Sequence, residues 1–217
     1  MNAQIAEHCR WFTAYVAQER LREEGDRTPI DLKLQHTMRV LANAQKIVTQ
    51  EAFPSKLERA MLLAALYHDI GRFEQYLRFH TFKDRESVNH GALGAEILTE
   101  TQCLAGEERW LQEIVVQAVR LHNAFALAQD LDREVALVTK VVRDSDKLDI
   151  LRIIDGHLSA EKPYNPTVIL SLPDDPAVSS PVVIRCAVQD DVASYSDLRS
   201  VNDFRVLLAT WIHDMNF

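Results

Sequence analysis

Glycine is scarce throughout this sequence, and proline is concentrated late in the chain. The 217 residues include six glycines and seven prolines, and five of the prolines fall between Glu161 and Pro181. Because these two residue types interrupt helices and form turns, long stretches without them permit long helices. The sequence therefore predicts an all-α protein with an irregular excursion over residues 161–181.

Cysteine pairs, long apolar runs and excess positive charge are also lacking. The three cysteines are far apart and form neither a CxxC pair nor an even disulfide framework. No window approaches the roughly 18 uninterrupted apolar residues of a membrane helix, and the start has no secretory signal pattern. The formal net charge of -8 argues against general nucleic-acid binding. We therefore expect a cytoplasmic protein that does not cross a membrane.

Apolar periodicity and turn residues divide the chain into predicted helices. These cover residues 2–24, 30–52, 56–67, 72–79, 90–100, 106–122, 131–158 and 201–216, with Ser55 as an N-cap and a break near Asp146. The helix over 56–67 is apolar on most sides and is expected at the centre. We predict one domain over 1–217, in which the segment 159–217 packs back on the bundle. The N-terminal helix fits equally well against a second copy, so a homo-oligomer is an alternative.

Four of the eight histidines lie on apolar faces of different predicted helices: His36, His68, His90 and His122. His36, for example, is four residues from both Leu32 and Val40, on the face expected to point inward. Each one alone is typical of a hydrogen-bonded core histidine. Burying four imidazoles costs desolvation at every position, however, unless they share a purpose. Imidazoles and carboxylates that converge from bundle helices hold metals in helical cores, so the coincidence favours a metal site.

Carboxylates follow the same pattern. Asp69 is adjacent to His68 and two residues before Gly71, which we expect to end the helix. In the segment RDSDKLDI, both Asp146 and Asp144 lie one turn past a buried valine on neighbouring stripes, so helical phase alone does not choose between them. Asp149 is a third candidate, better suited to a salt bridge or a cap. A solvated helix surface fits Asp144 and Asp149 about as well.

The motifs between about Leu32 and Ile153 resemble the HD-domain superfamily of metal-dependent phosphohydrolases. HD alone is too common a dipeptide to identify a family, but HDIGRF after an apolar helix, followed by NHGALGAEIL and LHN, is a specific match. The resemblance implies an HD-type helical bundle with a metal-site core over about residues 30–155. It also implies the metal ligands, which are His36, His68, Asp69, His90, His122 and Asp146. Asp146 is preferred because Lys147 and Leu148 follow it, and Asp69 is expected to bridge two ions.

The resemblance further implies the chemistry. Ligands rich in nitrogen suit Mn, Fe, Co, Ni or Zn, and we expect two such divalent ions. A metal-activated hydroxide is expected to hydrolyse a phosphomonoester or phosphodiester bond of a small phosphorylated metabolite, with a nucleotide as one candidate. The predicted catalytic residues are His68, Asp69 and Arg72, the last as a fork for a phosphate oxygen. Lys83, Arg85 and Lys147 are weaker candidates for that contact.

Other members of the superfamily suggest alternatives. The chain lacks the GYP signature of cyclic-dinucleotide phosphodiesterases and the acidic pair that follows HD in alarmone hydrolases, and both absences weaken those readings. Some HD-type proteins are di-iron oxygenases with a similar ligand order. A non-catalytic signalling module is a further alternative, although such modules usually lose ligands and none is missing here.

Overall fold

The computed structural model describes residues 3–164, 166 and 168–217, and within these ranges the chain is helical with no β-strand. The all-α prediction is therefore confirmed. The helices are α1 (Ala3–Arg22), α2 (Thr28–Glu51), α3 (Ser55–Tyr67), α4 (Ile70–Phe79), α5 (His90–Thr101), α6 (Arg109–Leu121), α7 (Arg133–Leu158), α8 (Pro181–Val188) and α9 (Val201–Thr210). Asn2, where the first helix was predicted to begin, and Asn165 and Thr167 of the predicted excursion lie outside the described residues.

The chain divides into two compact units, which are described separately. The first contains the described residues up to Asp146 together with Phe217, and the second contains residues 147–216. All six predicted metal ligands belong to the first unit. The single-domain organisation stays a prediction, as does the packing of the segment 159–217 on the bundle. No helix of the described ranges is long and apolar enough to cross a membrane.

Helix α3 occupies the core of the first unit, as its composition predicts. Leu57 and every residue from Ala60 to Tyr67 are buried, and the helix packs against α1, α2 and α6. The hydroxyl of Tyr67 is 2.8 Å from His8 Nδ1, so this buried polar atom has a partner. The prediction of Ser55 as an N-cap was wrong. The helix begins at Ser55 itself, after Pro54, and no side chain caps it.

Gly71 and Gly91 allow α4, α5 and α6 to pack closely, and Gly71 does not break a helix. Gly71 lies inside α4, which begins at Ile70, so the expectation that it ends the helix was wrong. A Cβ at Gly71 would lie 2.2 Å from the His90 carbonyl oxygen and 2.7 Å from the Gly94 nitrogen. At Gly91 a Cβ would lie 2.9 Å from the Arg120 carbonyl oxygen. The absence of side chains therefore lets three helices approach where the predicted ligands lie.

The second unit has its own small core. Val183 of α8 and Phe204 and Leu207 of α9 are buried in it. The Asp203 carboxylate accepts the backbone amide of Ser180 at 2.9 Å, which joins the starts of the two helices. Helix α8 was not predicted from the sequence, because the nearby prolines indicated irregular structure. Pro181 occupies the first turn, where proline is tolerated.

Two further predictions about the extent of helices were wrong. Helix α7 continues from Arg133 to Leu158 without the break expected near Asp146. Helix α9 ends at Thr210, and the residues Trp211–Asp214 form a 3-10 turn instead of a continued α-helix. The end of α9 lies where sequence signals are weakest, whereas the break expected near Asp146 falls in the middle of α7, which continues through it.

Candidate metal centre

Four helix ends and one helix face bring five of the predicted ligands together. His36 lies within α2, His68 follows α3, Asp69 precedes α4, His90 begins α5 and His122 follows α6. All five are at most 5% exposed. The local prediction for α2 was partly wrong, since Leu32 is 55% exposed and does not share the buried face of His36.

The first group of candidate ligands combines two histidines and two carboxylates. Asp69 Oδ2 is 3.6 Å from both His36 Nε2 and His68 Nε2. Asp146 Oδ1 is 3.0 Å from His36 Nε2 and 3.9 Å from His68 Nε2. Two ligands about 2.1 Å from one ion lie about 3.0–3.5 Å apart at octahedral or tetrahedral angles. These separations fit the binding of one divalent ion.

The second group uses the other oxygen of Asp69. Asp69 Oδ1 is 3.3 Å from His90 Nε2 and 3.8 Å from His122 Nε2, and the two imidazole nitrogens are 3.0 Å apart. The carboxylate of Asp69 therefore contributes one oxygen to each group of ligands. A carboxylate in this position can bridge two ions.

The orientations of the imidazoles identify which nitrogens are available to a metal. His68 Nδ1 is 2.8 Å from the Ala65 carbonyl, and His122 Nδ1 is 2.6 Å from the Val119 carbonyl. A carbonyl only accepts hydrogen bonds, so each Nδ1 carries the proton and each Nε2 of the neutral ring carries a lone pair. Both Nε2 atoms point into the ligand groups.

Two observations indicate that these residues fit a cation. The buried atom His68 Nε2 has no hydrogen-bond partner among the described residues. In addition, the Nε2 atoms of His90 and His122 face each other at 3.0 Å, and two lone pairs at that distance repel unless a proton or a metal lies between them. Buried polar atoms normally have partners. One divalent ion in each ligand group would satisfy these atoms.

The protonation states also suit metal binding. Burial, together with the charges of His90 and His68, lowers the pKa of His122 to about 3, and burial lowers the pKa of His68. Burial alone would raise the pKa of Asp69, but the Lys33 ammonium and other nearby cations hold it well below its usual value. At neutral pH His68 and His122 are therefore neutral imidazoles and Asp69 is an ionised carboxylate, which are the forms that bind metals.

Asp84 supports His90 from outside the ligand groups, and the sequence analysis missed it. Its carboxylate accepts His90 Nδ1–H at 2.7 Å, the Arg72 guanidinium at 2.7 Å and the Asn123 amide at 2.9 Å. Burial opposes ionisation, but the hydrogen bond from His90 keeps the pKa of Asp84 low. A carboxylate that accepts from a metal-ligating histidine fixes the ring and its tautomer. The sequence holds no periodic signal for this residue, because it lies in the connection between α4 and α5.

The three candidate aspartates, Asp144, Asp146 and Asp149, make different contacts. Asp146 points at His36 and His68, whereas the Asp144 carboxylate accepts the backbone amide of Phe217 at 3.1 Å. Asp149 pairs with Arg152 at 2.9 Å, the salt bridge that the sequence suggested. The structure therefore brings Asp146, and not Asp144, to the histidines.

The predicted phosphate-binding cations occupy different surroundings. Arg72 Nη1 donates to Asp84 and to the carbonyl of Phe82, and Arg72 Nε lies 3.5 Å from Asp69 Oδ1. Lys83 is exposed and pairs with Glu86, and Lys147 pairs with Asp214. Lys33, which the sequence analysis did not consider, lies closer to the centre than these lysines. It is three residues before His36 on α2, and that spacing was the available signal.

The fold and these ligand groups define an all-helical protein with a histidine-rich candidate metal centre built around one shared aspartate. A family model for the HD domain matches residues 34–163, over half of the chain, and the chain therefore belongs to the HD domain family. No curated protein and no solved structure shows significant similarity to it. The HD domain characterises a superfamily of metal-dependent phosphohydrolases, so the recognition made from the sequence is confirmed.

A first prediction concerns the pH dependence of folding without metal. An unfolded histidine takes up its proton near pH 6.5, whereas buried His122 does so near pH 3. The unfolded state therefore binds more protons between these values, and stability falls as pH decreases. In chelator-treated protein, His122→Gln should reduce the slope of unfolding free energy against pH by up to about 1.4 kcal/mol per pH unit. The measurement is urea unfolding followed by circular dichroism from pH 7 to pH 4. An unchanged slope in His122→Gln would contradict the assignment.

Proposed function

We propose that this protein hydrolyses a phosphomonoester or phosphodiester bond of a small phosphorylated metabolite or nucleotide, with two divalent transition-metal ions as cofactors. The observation that carries the proposal is the position of Asp69, whose two oxygens face two separate groups of histidines. Membership of the HD domain family supports the same class of reaction. The cytoplasmic location predicted from the sequence stays a prediction.

We assign the ligands to two ions. His36, His68, Asp69 and Asp146 would hold one ion, and Asp69, His90 and His122 would hold the second. Nitrogen and carboxylate donors together suit Mn, Fe, Co, Ni or Zn better than Mg or Ca. When bound, the metal supplies a water of lowered pKa as nucleophile and offsets negative charge on the phosphoryl oxygens.

The protein residues position these components. The Ala65 carbonyl holds the ring of His68 through Nδ1, so Nε2 keeps a fixed direction. Asp69 is held between Lys33 and Arg72, which keep its carboxylate ionised in a buried place. Arg72 remains our candidate for binding a phosphate oxygen. The bonds it already makes to Asp84 and the Phe82 carbonyl also suit a positioning role, in which it connects the support of His90 to Asp69.

The test is elemental analysis of the purified protein, followed by a panel of phosphomonoesters and phosphodiesters with added Mn. We expect bound transition metal and release of phosphate or alcohol that stops with a chelator. Oxygen consumption by iron-loaded protein without phosphoester hydrolysis would favour a di-iron oxygenase instead. Absence of both activities in protein that contains metal would favour a non-catalytic module.

A second prediction tests the support of His90. In Asp84→Asn an NH₂ group replaces one of the two oxygens and would face the His90 donor in either orientation, because His90 Nδ1 lies 2.9 Å and 2.7 Å from the two oxygens. Loss of an outer partner of a metal-ligating histidine typically costs 10- to 100-fold in metal affinity. We expect this loss for one ion only, measured by calorimetric titration with Mn. Glu86→Gln, a substitution in the same 3-10 turn at a residue that pairs only with Lys83 among the described residues, is the control. Equal affinities in both variants would contradict the assigned role.

A further inference from the structure

Lys33 connects the buried centre to solvent. Its ammonium nitrogen lies 2.7 Å from Asp69 Oδ2, the oxygen that faces His36 and His68. The Lys33 side chain is 22% exposed, whereas the Asp69 side chain is 4% exposed. Within the first ligand group, Asp146 is the partly exposed residue, with 24% of its side chain exposed. The two residues therefore mark the side from which a solute can reach the centre.

The ammonium of Lys33 keeps donors available. A lysine has three N–H groups, and Asp69 is the one hydrogen-bond partner that Lys33 has among the described residues. The ring of Phe82 lies 5.5 Å from the nitrogen and stabilises the ammonium laterally through a cation–π contact. Arg72, the other cation at Asp69, has one terminal nitrogen bonded to Asp84, Gln75 and the Phe82 carbonyl. Lys33 therefore keeps two N–H groups for a solute, and its side chain is more exposed than that of Arg72, at 22% against 15%.

The charge of the centre requires an anion beside Lys33. On the proposed function, two divalent ions bring four positive charges, and the carboxylates of Asp69 and Asp146 offset two of them. Asp84 is already paired with Arg72. An additional ammonium next to this positive centre is unfavourable by itself, and it becomes favourable when an anionic group binds between the ions and the lysine.

We propose that Lys33 binds a terminal phosphoryl oxygen of the substrate, and that this contact makes the site select phosphomonoesters over phosphodiesters. This inference rests on the proposed function. A phosphomonoester has three terminal oxygens and carries nearly two negative charges at neutral pH, whereas a diester has two terminal oxygens and one charge. Two ions and Lys33 give three cations, one for each terminal oxygen of a monoester. A diester leaves one of the three cations without an oxygen.

The test compares Lys33→Met and Lys33→Arg with wild type in Mn-loaded protein. Lys46→Met is the matched control, because Lys46 is an exposed lysine on the same helix. Elemental analysis measures the metal content, and calorimetry measures the binding of inorganic phosphate. Steady-state kinetics with p-nitrophenyl phosphate and bis(p-nitrophenyl) phosphate then compares a monoester with a diester.

We expect Lys33→Met to retain its metal and to bind phosphate about 10- to 100-fold more weakly, the usual range for a lost hydrogen bond between charged groups. The KM for the monoester should rise more than that for the diester, and Lys33→Arg should restore part of the phosphate affinity. Unchanged phosphate affinity would overturn the inference. Loss of metal from both Lys33 variants would also overturn it, because the lysine would then only support Asp69.

Two further results keep the inference separate from the proposed function. Equal losses for the monoester and the diester would overturn the selectivity. If wild-type protein hydrolyses neither substrate, the proposed function fails, while calorimetry with phosphate still reports whether Lys33 binds the anion. Circular dichroism of each variant identifies any that does not fold, and Lys33→Arg then carries the metal and phosphate measurements.

Discussion

Asp69→Asn is expected to remove both metal ions and abolish hydrolysis. Asp69 is the one residue that the two ligand groups share, with Oδ2 at 3.6 Å from His36 and His68 and Oδ1 at 3.3 Å from His90. An asparagine keeps the shape but replaces one ligating oxygen by an NH₂ group, which has no lone pair for a metal, and its remaining oxygen lacks the negative charge that the other ion would share. The loss of metal affinity in Asp69→Asn should exceed the roughly 10- to 100-fold loss that follows when an outer partner of a ligating histidine is removed.

The same experiment tests how many ions bind. His122→Gln removes a ligand of the second group only, so elemental analysis should find close to half the wild-type metal in that variant. Asp130→Asn, at an exposed aspartate, should match wild type in metal and activity. Full metal content in Asp69→Asn would contradict the shared-ligand assignment. Complete loss in His122→Gln would show that the two groups do not bind independently.

Gly71→Ala is expected to destabilise the first unit more than ordinary overpacking does. The new Cβ would lie 2.2 Å from the His90 carbonyl oxygen and 2.7 Å from the Gly94 nitrogen, and both are backbone atoms. Backbone cannot yield as a flexible side chain can, so α4 and α5 must separate. Overpacking costs about 1–3 kcal/mol and occasionally more, and we expect a loss of about 3 kcal/mol or more here. Because His90 moves with α5, the second ion should also bind more weakly.

Gly156→Ala is the matched control, since it is the same substitution in another helix. No atom lies within 4 Å of a Cβ built at Gly156. Alanine is favoured over glycine in helices by about 0.5–1 kcal/mol, so this variant should be slightly more stable than wild type. Urea unfolding of both variants measures the difference. If the Gly71→Ala protein is as stable as wild type, α4 and α5 do not pack as closely at this point as the distances indicate.

The helices and the residues of the centre were largely predictable, for different reasons. Helix α3 was recognisable because a run of apolar residues on all sides has no place except a core. His90 and His122 were recognisable because their helices carry apolar residues at the steps that bury them. Helix α8 was not recognised, because many prolines obscure a short helix and the core in which it is buried depends on contacts between distant segments.

The sequence by itself determined that the protein is helical, that imidazoles lie on buried faces, and that HDIGRF belongs to an HD domain. These properties follow from local periodicity and from motifs. Only the tertiary structure brought Asp146 to His36 and Asp84 to His90, and placed Lys33 beside Asp69. It also showed that Gly71 is required by the approach of α5 and not by a turn. The reason is the same in each case, because these contacts join residues of different helices and their distances depend on how closely the helices pack.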